Sequence, residues 1–293
     1  MLKEGFTLIH EHTTIDLSKV KGTDDTNLNC KEETIEEFKQ LYDFGVRNII
    51  DVTNCGMGRN VDYVNEVSER SKINIIQSTG FYKEPFLPDF ICEKTIGELA
   101  EFMVDEIENG IGKTTTKANL IGEIGSSKDE FTELEKKVFE AAILAHKKTG
   151  VVISTHTSLG RLAREQAEFF LARWVNPKKV IIGHQDLSQD LDQIKYLIEK
   201  GFWVSFDTIG KNNYVPDIEK IDFLKDLQEN KMLDSILMSM DITRKSNLKY
   251  KGGMGYTYLF TDFLPLMKNK GIREESIDKM LRTNPMRVFG DLI

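Results

Sequence analysis

Histidine occurs five times in the 293 residues, and four of the five stand where a short apolar run ends. His10 and His12 follow Phe6-Thr7-Leu8-Ile9, His156 follows Val151-Val152-Ile153-Ser154-Thr155, and His184 follows Val180-Ile181-Ile182-Gly183. Two acids occupy equivalent places: Glu123 after Asn119-Leu120-Ile121-Gly122 and Asp241 after Ile236-Leu237-Met238-Ser239-Met240. On an extended strand side chains alternate faces, so His10 and His12 point to the same side. Imidazole nitrogens and carboxylate oxygens are the ligands that zinc and similar divalent ions prefer. Four histidines and two acids exceed the needs of one tetrahedral ion. They suit two ions ~3.5–4 Å apart that share a carboxylate, an arrangement found in many hydrolytic sites. The fifth histidine, His146, falls late in a helix, where a cation near the C-terminal dipole needs no function.

Positioning such residues requires elements that bring six distant strand ends to one place. Eight short β-branched runs recur: 6–9, 46–52, 73–78, 119–123, 151–155, 180–183, 202–206 and 236–240. Helical patterns separate them, at 32–44, 61–71, about 95–109, 133–149, about 162–174, 191–199 and 218–228, with further helices near 256–268 and 274–281. The clearest has a capping box of Thr132 and Glu135 and a stop at Gly150. Asn284-Pro285 reads as an N-cap with proline at N1 of a short last helix, and 16–30 reads as a polar loop. Alternation of strand and helix implies right-handed βαβ units and a parallel sheet. An open sheet would not gather ends of strands one, four, five, six and eight. A (β/α)8 TIM barrel does so at its C-terminal mouth, and its typical size of ~250 residues matches the chain. No Pro-, Gly- or Ser-rich linker divides residues 1–293, which read as one domain.

Composition narrows the partners. Net charge is −8 with no basic stripe, which argues against nucleic acid and acidic membranes. No apolar run approaches a membrane span. Three cysteines without C-x-x-C spacing read as reduced thiols of a cytoplasmic protein. The expected partners are a small-molecule substrate and, at most, a second copy of the chain in a homodimer.

The segments Leu8-Ile9-His10-Glu11-His12, Gly122-Glu123-Ile124-Gly125, Ser154-Thr155-His156, Ile182-Gly183-His184 and Ser239-Met240-Asp241 resemble, in order, the metal motifs of the phosphotriesterase family of the amidohydrolase superfamily. The chain is most similar to the small bacterial branch, the phosphotriesterase homology proteins. The resemblance implies a binuclear-metal (β/α)8 barrel. His10, His12 and Asp241 would hold the more buried metal and His156 and His184 the more exposed one, with Glu123 bridging. Phosphotriesterases and lactonases of the family bridge with a carboxylated lysine, so Glu123 is a departure shared with the homology-protein branch. The implied cofactors are two divalent ions, Zn2+ by ligand type, with Mn2+ as the other candidate.

Asp241 is then also assigned a catalytic role, taking a proton from the attacking water. Tyr82 stands where lactonases of the family resemble it with a tyrosine near the substrate ring. Thr208 stands where many of them have an arginine, so acyl-homoserine lactones are not expected. Asp186 and Asp207 are candidates to orient ligand histidines. Arg244 and Lys245, just past Asp241, could attract a substrate phosphate or carboxylate. Gly112-Lys113-Thr114 mimics a P-loop end, but the required glycine is Ile107. The reading is a metal-dependent hydrolase of an ester-like bond, a lactone or phosphorylated sugar lactone. The alternatives are a phosphoric ester or amide substrate, or a metal-binding barrel without activity.

Overall fold

The computed structural model describes residues 2–290 and builds eight parallel strands into a nearly closed barrel, each followed by helical chain on the outside. The strands are β1 (Phe6–Glu11), β2 (Val46–Asp51), β3 (Asn74–Thr79), β4 (Leu120–Ser126), β5 (Ile153–Thr157), β6 (Val180–Ile182), β7 (Trp203–Phe206) and β8 (Ile236–Met238). They pair in chain order, with registers such as Ile49 against Ile75 and Ile181 against Trp203. Neighbours along a strand divide between two buried clusters, as a period of two demands. Ile50, Val52, Ile76, Val152, Ile181 and Leu237 fill one, with Leu2, Val288 and Phe289 among them. Ile49, Ile153, Ile182, Val204, Ile236 and Met238 belong to the other, shared with the helices.

The seam between β8 and β1 closes through side chains. Glu11 is fully buried, and its carboxylate accepts from Ser239 Oγ (2.7 Å), Met240 N (2.7 Å) and Ile242 N (3.2 Å). His10 N donates to Ser239 Oγ (3.1 Å), and His10 O accepts from Asp241 N (3.3 Å). The middle residue of His10-Glu11-His12 therefore ties the barrel shut beside the residues that line its mouth.

Local chemistry explains most element ends. Capping boxes at Thr95/Glu98 and Thr132/Glu135 open helices Ile96–Glu108 and Glu133–Thr149, and Gly150 ends the latter at φ +74°. Three segments differ from expectation. The polar stretch 16–30 contains a short antiparallel pairing of Ile15–Asp16 with Asn27–Leu28 and a turn of helix, Ser18–Lys21. The last helices contain π turns, Leu259–Phe263 and Lys279–Thr283. Asn284 is no N-cap: the π turn runs straight into helix Asn284–Phe289, and Asn284 Nδ2 instead donates to Leu233 O and Ile236 O beneath β8. Among the described residues, no helix is long and apolar enough to cross a membrane.

Candidate metal centre

All six predicted ligand residues converge at the C-terminal mouth of the barrel. Glu123 stands at their middle. Its Oε2 lies 3.3 Å from His10 Nε2, 3.0 Å from His156 Nδ1 and 3.6 Å from His184 Nε2, and its Oε1 lies 3.5 Å from His12 Nε2. Asp241 Oδ1 lies 3.2 Å from His12 Nε2 and 3.9 Å from His10 Nε2. The donors thus form two groups that share Glu123, one with His10 and His12 and one with His156 and His184.

The backbone that presents them is closely constrained. A Cβ on Gly122, at φ +137°, would lie 2.2 Å from Ser154 O, and one on Gly183 would lie 2.3 Å from Thr155 O. β5 passes too close to β4 and β6 for any other residue just before Glu123 and His184. His184 (φ +56°) and Asp241 (φ +51°) themselves sit in the left-handed region, sparsely populated by such residues and found where function holds the chain.

Neighbouring polar groups turn the rings. His12 Nδ1 meets Thr53 Oγ1 at 2.8 Å, leaving Nε2 toward Glu123 and Asp241. Asp207 faces Nδ1 of both His184 (2.7 Å) and His10 (3.3 Å). Asp186, expected to share that task, instead accepts from Thr208 N (3.0 Å) and Thr208 Oγ1 (2.6 Å) and approaches buried Lys220. Burial penalises charge throughout, so the shifts depend on which groups meet. His12, opposed by burial but beside Asp241 and Glu123, is pushed up to about 10. His156, buried against His184, falls to about 4. Burial would raise Glu123, yet His10 and His156 hold it well below the usual carboxylate range.

The fit to metal ions rests on the donor chemistry and on His10. Its Nε2 is buried without a hydrogen-bond partner, and its Nδ1 has only the Asp207 carboxylate at 3.3 Å, outside hydrogen-bond geometry. Leaving such atoms unpaired costs free energy that a metal at Nε2 would offset.

A cavity of about 240 Å³ opens over this centre, enough for a small molecule. Tyr82 lines it, buried, with its hydroxyl 3.2 Å from His156 Nδ1. Arg244 lines it too, while its guanidinium pairs with Asp25 at 3.4 Å. Lys245 does not reach the cavity and pairs outside with Asp24 at 2.7 Å. Sequence reasoning missed Lys211, whose Nζ pairs with Asp241, and the wall residues Lys21 and Lys83. Lysines in polar loops carry no periodic signal that would single them out. His146 is no cation at a helix end: burial lowers its pKa, and Nδ1 lies 2.7 Å from Val151 O.

Fold and side chains together define a (β/α)8 barrel with histidine–carboxylate metal-ligand groups at its mouth. The profile of the phosphotriesterase family matches residues 2–289, and the chain belongs to that family. It is 45% identical to the phosphotriesterase homology protein of Escherichia coli, over 97% of this chain and 98% of that one. The crystal structure of that protein, complexed with phosphate in its active site, superposes with a TM-score of 0.96 at 44% identity, covering 98% of this chain and 99% of that one. The chain is also 30% identical to an aryldialkylphosphatase of Saccharolobus solfataricus (97% of this chain, 95% of that one). A lactonase from Listeria monocytogenes matches with a TM-score of 0.92 at 30% identity, covering 97% and 94%. Metal-dependent hydrolysis is the activity such a family and such a site support.

Proposed function

We propose that this protein hydrolyses a lactone, and specifically a phosphorylated sugar lactone, with two divalent ions, zinc by ligand type. The observation that carries the reading is Glu123, with a carboxylate oxygen 3.0–3.6 Å from one ring nitrogen of each of four histidines. His10, His12 and Asp241 would hold one ion, His156 and His184 the other, and Glu123 would lie between them. When bound, the pair supplies Lewis acidity, lowering the pKa of water and polarising an acyl or phosphoryl oxygen.

The chain's own residues do the rest. Asp241 takes the proton of the attacking water and returns it to the departing alcohol oxygen: burial alone would raise its pKa, but Lys211, His12 and nearby rings hold it below the ordinary range, so it is charged when the water attacks. Tyr82 closes the wall beside His156 and presents its hydroxyl to the substrate side. The four basic side chains Lys21, Lys83, Lys211 and Arg244 make the mouth of an acidic protein locally positive, which suits an anionic substrate. Support for a lactone comes from the Listeria relative, and support for a phosphate group from the Escherichia coli one.

The relative named as an aryldialkylphosphatase supports a second reading, a phosphoric ester. Proton release from lactones, sugar-phosphate lactones and phosphotriesters, using zinc- and manganese-reconstituted protein, decides between them. Activity on the lactones that vanishes in Glu123→Ala is the expected result. Activity on phosphotriesters alone would favour the second reading, and silence across the panel with two metals bound would point to a barrel that binds metal without turnover.

A further inference from the structure

Four basic side chains line the mouth, but they are not equivalent. Lys211 is paired with Asp241, and Arg244 with Asp25. Lys21 and Lys83 have no carboxylate at ion-pair distance among the described residues. Their ammonium groups lie 5.4 Å and 5.6 Å from the centroid of the same ring, that of buried Phe86, and Lys83 lies 5.7 Å from that of Tyr82. Lys83 Nζ has one neutral acceptor, Glu84 O at 2.9 Å. Three acids act on it from beyond ion-pair distance: Glu84, its neighbour in the chain, and Glu135 and Glu123, which are engaged elsewhere. Glu135 accepts from Ser127 Oγ (2.6 Å) and Thr132 N (3.0 Å), and Glu123 lies among the histidines.

Two ammonium groups gathered at one aromatic ring, Lys83 half-buried and Lys21 exposed, repel each other, and an anion bound between them would remove that repulsion. Burial, with Lys21 also nearby, already lowers the Lys83 pKa. The position completes the case. Lys83 follows β3 and Lys21 follows β1, whereas Lys211 follows β7. In an eight-stranded barrel β3 and β7 stand on opposite sides, so Lys83 faces Lys211 across the metal centre, while Lys21 follows β1, beside the β8 that leads to Asp241.

We propose that Lys83 and Lys21 form the subsite that receives an anionic group of the substrate, a phosphate or carboxylate remote from the bond that is cleaved. This rests on the hydrolase reading above and adds to it a direction. The reacting carbonyl lies over Glu123 and Asp241, and the substrate's tail runs toward Lys83 on the loop after β3, away from Lys211.

The test is calorimetric binding to zinc-reconstituted protein of three sugar acids that share one carboxylate end. They are gluconate, glucarate with a second carboxylate, and gluconate 6-phosphate. In the wild type one or both of the doubly anionic acids should bind about 10- to 100-fold tighter than gluconate, the effect of one charge-assisted hydrogen bond. Which of them does so separates phosphate from carboxylate. In Lys83→Met and in Lys21→Met/Lys83→Met that ratio should collapse toward one. A ratio that survives both variants, or that is lost in Lys211→Met instead, overturns the subsite. If the wild type shows no advantage yet hydrolyses lactones, this inference fails and the proposed function stands. If none of the acids binds and no lactone is hydrolysed, both fail.

Discussion

The Nδ1 of His184 lies 2.7 Å from Asp207 Oδ1, while the other oxygen of the same carboxylate lies 3.3 Å from Nδ1 of His10. One acid at the end of β7 thereby aims two rings, from β6 and β1, so that both Nε2 atoms face Glu123. Asp207 is held below the usual carboxylate range by His184 and His10, against the effect of burial. Asp207→Asn keeps the volume but removes the charge and one acceptor. Metal affinity should fall about 10- to 100-fold, the usual cost of losing such a partner. Zinc competition against a chelator, with circular dichroism to show the fold intact, measures this. Unchanged affinity would mean that the rings are held by packing alone.

The Glu11 contacts make a prediction about stability. Glu11→Ala would strand two buried backbone N–H groups, of Met240 and Ile242, together with Ser239 Oγ. Each unpaired buried donor costs about 1–3 kcal/mol, so the two N–H groups alone imply a loss of roughly 2–6 kcal/mol in denaturant unfolding. Glu11→Gln retains an acceptor and should lose less. Equal losses in the two variants would show that the cavity, not the stranded donors, sets the cost.

How much of this was legible in the sequence depended on range. Strand ends such as His156 and His184 were found because a β-branched run of period two announces where a side chain will emerge. The barrel followed because only closure brings the end of β8 to that of β1. Partners set by tertiary approach were not legible. Thr53 on His12, Asp207 on His10 and Lys211 on Asp241 join residues 30 or more apart, through loops whose composition is ordinary. Asn284 misled for the same reason: its sequence neighbours suggest a cap, but carbonyls near β8 claimed its side chain. Lys245 and Arg244 read as free charges until Asp24 and Asp25 were brought against them.

His146 supplies a pH dependence remote from the centre. Burial first, then Lys179 and Lys147, lower its folded pKa, while the Val151 carbonyl partly opposes them. A histidine whose pKa is lowered by folding takes up a proton more readily when unfolded. Stability is therefore unaffected above the unfolded value of ~6.5 and declines as pH falls below it, until the lower folded pKa is reached. His146→Gln should flatten that decline in urea unfolding measured from pH 7.5 to pH 5. A decline identical in both proteins would assign it to other groups.

The sharpest test of the chemistry is Asp241. Its carboxylate lies at the rim of both the His10/His12 group and the cavity, with one oxygen toward His12 Nε2 and the other against Lys211. A group so placed can both help hold an ion and receive a proton, and the two roles separate by measurement. Asp241→Asn retains an oxygen donor and the shape of the site but cannot accept the proton at neutral pH. If proton transfer is its task, kcat on the best lactone should fall by about 10²–10⁴, while the affinity for the hydroxy-acid product changes much less. Metal content must be measured on the same preparation, because loss of an ion would produce the same fall. Turnover near the wild-type value with both metals retained would remove Asp241 from the proton's path. In that case Lys211 would have to be tested as the residue that meets the substrate from that side.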